Sequence, residues 1–167
     1  ESGRLEDITI RNFVAPDDFE AGAVNEEVPA EITAYQKPEG LSDDLAAYEI
    51  ELDGTAYSLP VPVSALLADG WEINPSVTDE YVVARDSGWV GLIKGGQSFH
   101  TLAWNSADYA TIPENCWIES LEVGGYDLKL DGALPGGIRI GMTKEDFLAT
   151  LQAGNMTYEE EESGAFL

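Results

Sequence analysis

The sequence predicts an α+β protein: an antiparallel β-meander with short helices packed on one face, a tandem repeat of that module being one option. Three observations carry this. Short apolar-alternating segments recur through the middle of the chain. They are joined by tight turn signals, Asp53-Gly54 and Gly95-Gly96. Helices are few and short, so the strands must pair as hairpins.

Residues 1–45 read as a loop-rich segment, punctuated by Pro16, Gly22, Pro29, Pro38 and Gly40 and by the pairs Asp17-Asp18 and Asp43-Asp44. Short strands interrupt it at 7–14, where Ile8 and Ile10 alternate with polar residues, and at 27–35. Residues 46–125 form a helix-plus-antiparallel-sheet module. A strand over 48–52 meets Asp53-Gly54 and returns over 55–59, where Pro60-Val61-Pro62 stops it. A short helix follows: Pro62 suits its first turn, Val63, Leu66 and Leu67 make its stripe, and Gly70 ends it. Trp71 then folds back on the last turn.

Four strands are expected next, at 80–85, 89–94, 97–104 and 117–123. Gly95-Gly96 fixes the register of the central pair, because glycine reaches positive φ at both turn positions. Leu92 then faces Phe99 and Val90 faces Thr101. The other face pairs Ile93 with Ser98, Gly91 with His100 and Trp89 with Leu102, with Trp104 beyond.

Residues 126–167 read as a second, partial module that begins with a helix. Thr143 is its N-cap, Asp146 completes a variant capping box, and Met142 staples onto Phe147. Phe147, Leu148 and Leu151 form the stripe and Gly154 the stop. A strand begins within 156–160, overlapping a solvated acidic run at 159–162. The order Asp53-Gly54, Leu59-Pro60, helix echoes in Asp131-Gly132, Leu134-Pro135, helix, which raises the duplication.

The 167 residues carry 32 Asp plus Glu against 8 Lys plus Arg, a net charge of -24. Such a surface repels phosphate backbones and anionic lipid, which excludes nucleic acid and direct membrane-surface binding. Four Trp and 44% hydrophobic residues exclude a disordered chain. No apolar run approaches the ~18 residues of a membrane span, so this form is expected to be soluble. Residues 61–123 hold only 9 acids, against 15 in residues 1–60, and are the expected core.

Chemistry-bearing residues are sparse. Cys116 is the only cysteine and His100 the only histidine. No intrachain disulfide, cysteine-based metal cluster or three-ligand zinc site can be built from them, and Cys116 reads as a small buried hydrophobe. Gly124-Gly125 and Gly136-Gly137 lack the context of a phosphate loop. Nothing marks two acids as the buried pair a glycosidase needs. Hard oxygen ligands stand at Asp17-Asp18-x-Glu20 and Asp43-Asp44, without the spacing of a calcium loop. No catalytic residue, metal site or cofactor is therefore expected, adventitious calcium apart. The aromatics are more informative. The Val90, Leu92, Phe99 face is smooth and should pack on the core. The opposite face, carrying Trp89, His100 and Trp104, should stay partly open, and these three are the candidate partner-binding residues.

The stretch Leu134-Pro135-Gly-Gly-Ile138-Arg-Ile140-Gly141-Met142-Thr143-Lys-Glu-Asp-Phe147 resembles the opening of a module in the SmpA/OmlA and beta-lactamase-inhibitor-like superfamily. The segment from Leu59-Pro60 to Gly70-Trp71 resembles an "LP…GW" segment of uncharacterised secreted lipoproteins of Gram-positive bacteria. The resemblance implies helices on one face of an antiparallel sheet and an extracellular or cell-surface-anchored protein. With one cysteine, the inhibitor family's disulfides do not carry over. The chain opens at Glu1, not Met, and a removed signal or lipoprotein leader fits that. The expected function is a non-catalytic extracellular binding or interaction module, its partner an unknown protein or carbohydrate. The alternative is a secreted hydrolase acting on polysaccharide or peptidoglycan through acidic residues.

Overall fold

The protein is described by a computed structural model at residues 23–121, 130–157, 159–161 and 164–166. The strand expected at 7–14, the acids Asp17-Asp18-x-Glu20 and the Gly124-Gly125 pair lie outside the described residues. The first element is a single turn of helix, α1 (Ala30–Thr33), and not the strand that residues 27–35 suggest. The carbonyl of Pro29 accepts from the amides of Ile32 and Thr33, at 3.1 and 3.2 Å, and coils the chain around the buried Ile32.

Strands β1 (Glu49–Leu52) and β2 (Thr55–Ser58) pair across Asp53-Gly54. Both turn residues have positive φ, 50° and 75°, as a two-residue hairpin of the favoured twist requires. The chain crosses to a second sheet at β3 (Val61–Pro62) and enters α2 (Val63–Ala68), which buries Val63 and Leu66. Gly70, at φ 88°, closes α2 in a Schellman arrangement. Its N–H donates to the Leu67 carbonyl at 3.0 Å, and that of Trp71 to the Leu66 carbonyl at 3.2 Å. Trp71 is thereby delivered onto Phe99, edge to face at 5.2 Å between ring centroids.

After β4 (Glu72–Ile73), the hairpin β5 (Ser87–Lys94) and β6 (Gln97–Trp104) turns at Gly95-Gly96 in the register read from the sequence. The strand expected over 80–85 is only a bridge between Val82 and Thr111. The side-chain amide of buried Asn105 donates to the carbonyls of Val82 and Val83, at 3.0 Å each, and the Val82 carbonyl also accepts from the Thr111 amide at 3.0 Å, so a loop rather than a strand ladder holds this stretch. Strand β7 (Trp117–Ile118) covers only the start of the stretch expected at 117–123, of which 122–123 lie outside the described residues. The Thr101 hydroxyl donates to the Ser120 carbonyl at 2.9 Å, where a ladder bond would otherwise run.

Then come β8 (Gly132–Leu134), β9 (Ile138–Arg139), α3 (Lys144–Ala153) and the two-stranded ladder β10 (Glu159–Glu161) with β11 (Gly164–Phe166). Thr143 caps α3, its hydroxyl oxygen accepting from the Asp146 amide at 3.1 Å.

The class is α+β with antiparallel pairing, but the strands divide between two main sheets, ordered β2-β1-β8-β9 and β3-β7-β6-β5-β4. Strand β8, from the C-terminal stretch, completes the sheet that β1 and β2 begin. One core joins the sheets: Ile50, Leu52 and Tyr57 from the first, Val90, Leu92, Phe99 and Ile118 from the second, and Val63 and Leu66 from α2. A polar clasp ties the two hairpin ends. The Asp53 carboxylate accepts from Lys94 Nζ and Gln97 Nε2, at 2.8 Å each, and the Gln97 Oε1 accepts from the Asp131 amide at 2.7 Å. Those two donors hold the Asp53 carboxyl below the usual carboxylate range. Among the described residues, no helix is long and apolar enough to cross a membrane.

Candidate functional site

The β5–β6 hairpin positions the site. Alternation along β5 buries Val90 and Leu92, and along β6 it buries Phe99, Thr101 and Ala103. The intervening side chains therefore point out of the core. Trp89 is 49% exposed, its cross-strand neighbour Leu102 47%, and Ile93 and His100 are exposed beside them. The Trp89 and His100 rings lie 5.6 Å apart at a 54° tilt. The face that the sequence assigns to the core is thus the buried one, and the tryptophan face stays open around Trp89.

Trp104 shares that face but sits at its closed end. It pairs with Trp117, which also pairs with Pro62, and Tyr35 packs on the Trp117 ring edge-on at 6.3 Å. The Tyr35 hydroxyl is anchored on the backbone of Ser58, 3.1 Å from both its amide and its carbonyl. Trp104 is half-buried as a result. The structure brings Trp89 and His100 into contact and sets Trp104 one pair further along, against Ser87.

The free edge of β5 is sealed by residues 74–79, which sequence reasoning missed. The Asn74 amide donates to the Gly91 carbonyl at 2.8 Å. The Thr78 hydroxyl accepts from the Gly91 amide at 3.0 Å and donates to the Asn74 carbonyl at 2.7 Å. Asp79 brackets Trp89: its carboxylate accepts from the Trp89 amide at 2.7 Å, and its own amide donates to the Trp89 carbonyl at 2.9 Å. Backbone amides and side chains of this segment thus together do the work of a neighbouring strand, and the backbone under the exposed indole is fixed. Val77 lies over Gly91, where a Cβ would come within 2.2 Å of its Cγ2, and adds a further exposed aliphatic group to the patch. The available sequence signal is Asn74-Pro75-Ser76, whose Asn74 Oδ1 accepts from the Ser76 amide at 3.1 Å in an Asx turn.

Elsewhere the chemistry is quiet. Cys116 is buried, and burial pushes its thiol up to about 12, with the charge of Glu114 adding to the effect. Arg85 holds the Asp108 carboxyl below its usual range across a 2.8 Å contact. The Asp44 carboxylate caps a local turn, accepting from the Ala46 amide at 2.9 Å. Among the described residues, no group of three or more His, Cys, Asp or Glu side chains is placed to hold a metal ion.

Fold and site together define a two-sheet α+β protein with an aromatic-aliphatic patch held on a braced hairpin. No family model, curated protein or solved structure matches the chain.

Proposed function

We propose that this chain is a non-catalytic interaction module that docks a partner on the outer face of the β5–β6 hairpin. The observation that carries the reading is the exposure of Trp89 on a backbone clamped at both its amide and its carbonyl by Asp79. A rigid, half-exposed indole offers a large contact area at little entropic cost, the property that makes tryptophan an interface anchor. Its neighbours favour a protein surface over a sugar. Leu102, Ile93 and Val77 are exposed aliphatic groups beside the Trp89–His100 pair, a contact area of the kind a protein partner buries. The cell surface is the placement that the resemblance to secreted lipoproteins implies. A hydrolase working through acids needs a carboxyl raised by burial, and the two carboxyls displaced among the described residues, Asp53 and Asp108, are both held low beside cations.

The test places a photo-cross-linking residue at position 102 and presents the protein to intact cell-surface material of its source. In parallel, purified peptidoglycan is scored for co-sedimentation and for release of soluble fragments. The expected result is one discrete cross-linked protein, lost in Trp89→Ala while circular dichroism stays unchanged. Glycan co-sedimentation that depends on Trp89 would move the partner to carbohydrate. Fragment release by the parent protein would overturn the non-catalytic reading.

A further inference from the structure

A concavity lies on the other sheet, between the β8–β9 hairpin and the start of α3. It measures about 560 Å³, inside the range of roughly 300–1,000 Å³ usual for small-molecule sites. Ile50, Ala133, Ile138, Met142 and Phe147 give it apolar walls. Two cations, Arg139 and Lys144, share the lining. Only 8 residues of the whole chain are Lys or Arg, against 32 acids, and two of those 8 stand at this one apolar groove. Arg139 meets Glu51 through Nη2 at 3.5 Å, and a guanidinium with five N–H donors has capacity for a second carboxylate.

The helix above the groove also has an unfinished apolar stripe. Leu151 is buried, but Phe147 and Leu148 are only half covered, and Ile140 at the groove's edge is 54% exposed. An alkyl chain lying along Ile140 and Phe147 would complete this burial. A cationic rim at an apolar trough is the chemistry that recognises a fatty carboxylate, with its charge at the rim and its chain in the groove.

From this juxtaposition we infer that the groove binds an amphipathic organic anion with a single alkyl chain. The site is separate from the Trp89 face, so the two readings fail or stand independently.

The experiment is calorimetric titration of the protein with dodecanoate below its micelle concentration. Decanoate and dodecyltrimethylammonium are the comparison probes. The expected result is one saturable site per chain, with decanoate roughly tenfold weaker because two methylenes are lost. Dodecyltrimethylammonium should bind more weakly still. The overall charge of -24 favours that cation everywhere else on the surface, so preference for the anion reports the two local cations. Lys144→Gln and Ile140→Ser are substitutions at exposed positions. Each should weaken dodecanoate by about fivefold or more with an unchanged circular dichroism spectrum, while Trp89→Ala leaves it unmoved. Absence of saturable heat, equal or tighter binding of the cationic amphiphile, or indifference to both groove variants overturns the inference. So does a concentration-dependent dimer abolished by Ile140→Ser in a protein that ignores dodecanoate, because a second copy would then be the occupant.

Discussion

At the scale of single residues, burial decides what Cys116 can do. Its thiol is fully enclosed beside the Ile112 carbonyl and pushed from 9.0 to about 12. The thiolate is the reactive form, so the folded protein should leave Ellman's reagent untouched at pH 8 and react at once in denaturant. The same displacement has a consequence for stability. Between pH 9 and pH 12 the unfolded chain gives up this proton while the folded chain keeps it, so the contribution is intact below 9 and is lost on the alkaline side. Tyr57 acts in the same direction, pushed above its ordinary 10.0 by burial and then by the Asp69 carboxylate that accepts its hydroxyl proton at 2.9 Å. Urea unfolding at pH 8 and pH 10.5 should show the loss, about 1.4 kcal/mol per pH unit for each proton involved. Cys116→Val should reduce the dependence by the thiol's share and leave that of Tyr57; an unchanged slope would mean that the thiol is not enclosed. The burial of Cys116 was legible because the only cysteine, in a chain with a single histidine, has no partner for any other role. Asp79 was not legible. It acts on Trp89 from ten residues away through an irregular segment that no periodicity marks.

At the scale of elements, the turns and caps carried most of the information in the sequence. Asp53-Gly54, Gly95-Gly96, the Gly70 stop and the Thr143 cap all lie where local chemistry places them, because each is decided by a few adjacent residues. The β5–β6 register followed from one glycine pair, and with it the sidedness of Trp89 and His100. The split into two sheets did not follow, since the β1–β8 pairing joins residues some eighty positions apart. Where a strand was expected at 80–85, the carbonyls of Val82 and Val83 instead meet Asn105 and Thr111, contacts that are tertiary. Gly91 belongs to the same class. It is glycine for want of space beneath Val77, and its φ is not the reason. Gly91→Ala should therefore cost about 1–3 kcal/mol by overpacking. Val77→Ala alone should cost little, because Val77 is 45% exposed. In the double variant most of the loss should return, a coupling of about 1 kcal/mol or more that a double-mutant cycle measures. Additive costs would place the defect elsewhere in the strand.

At the scale of the whole molecule, charge is the dominant fact. Among the described residues, Lys37–Asp69, Arg85–Asp108, Lys94–Asp53 and Arg139–Glu51 are in ion-pair contact, but with 32 acids to 8 bases the carboxylates far outnumber the cations that could neutralise them. Folding gathers these charges into a smaller volume, so their repulsion opposes the compact state. Added salt shortens the screening length from about 30 Å at 0.01 M to about 8 Å at 0.15 M and relieves repulsion between distant acids. The same salt weakens the four ion pairs, but exposed pairs contribute only about 0–1 kcal/mol each, and the closest of them are only partly screened. Repulsion should win. Sodium chloride raised from 10 to 300 mM should therefore stabilise the fold by about 1–2 kcal/mol, read as a rise in Tm of roughly 3–6 °C. A fall in Tm would show that the ion pairs outweigh the field. Calcium chloride at matched ionic strength separates screening from binding. An equal rise is expected if the carboxylates respond only as a field, whereas a distinctly larger one would mean that some of them converge on a bound cation.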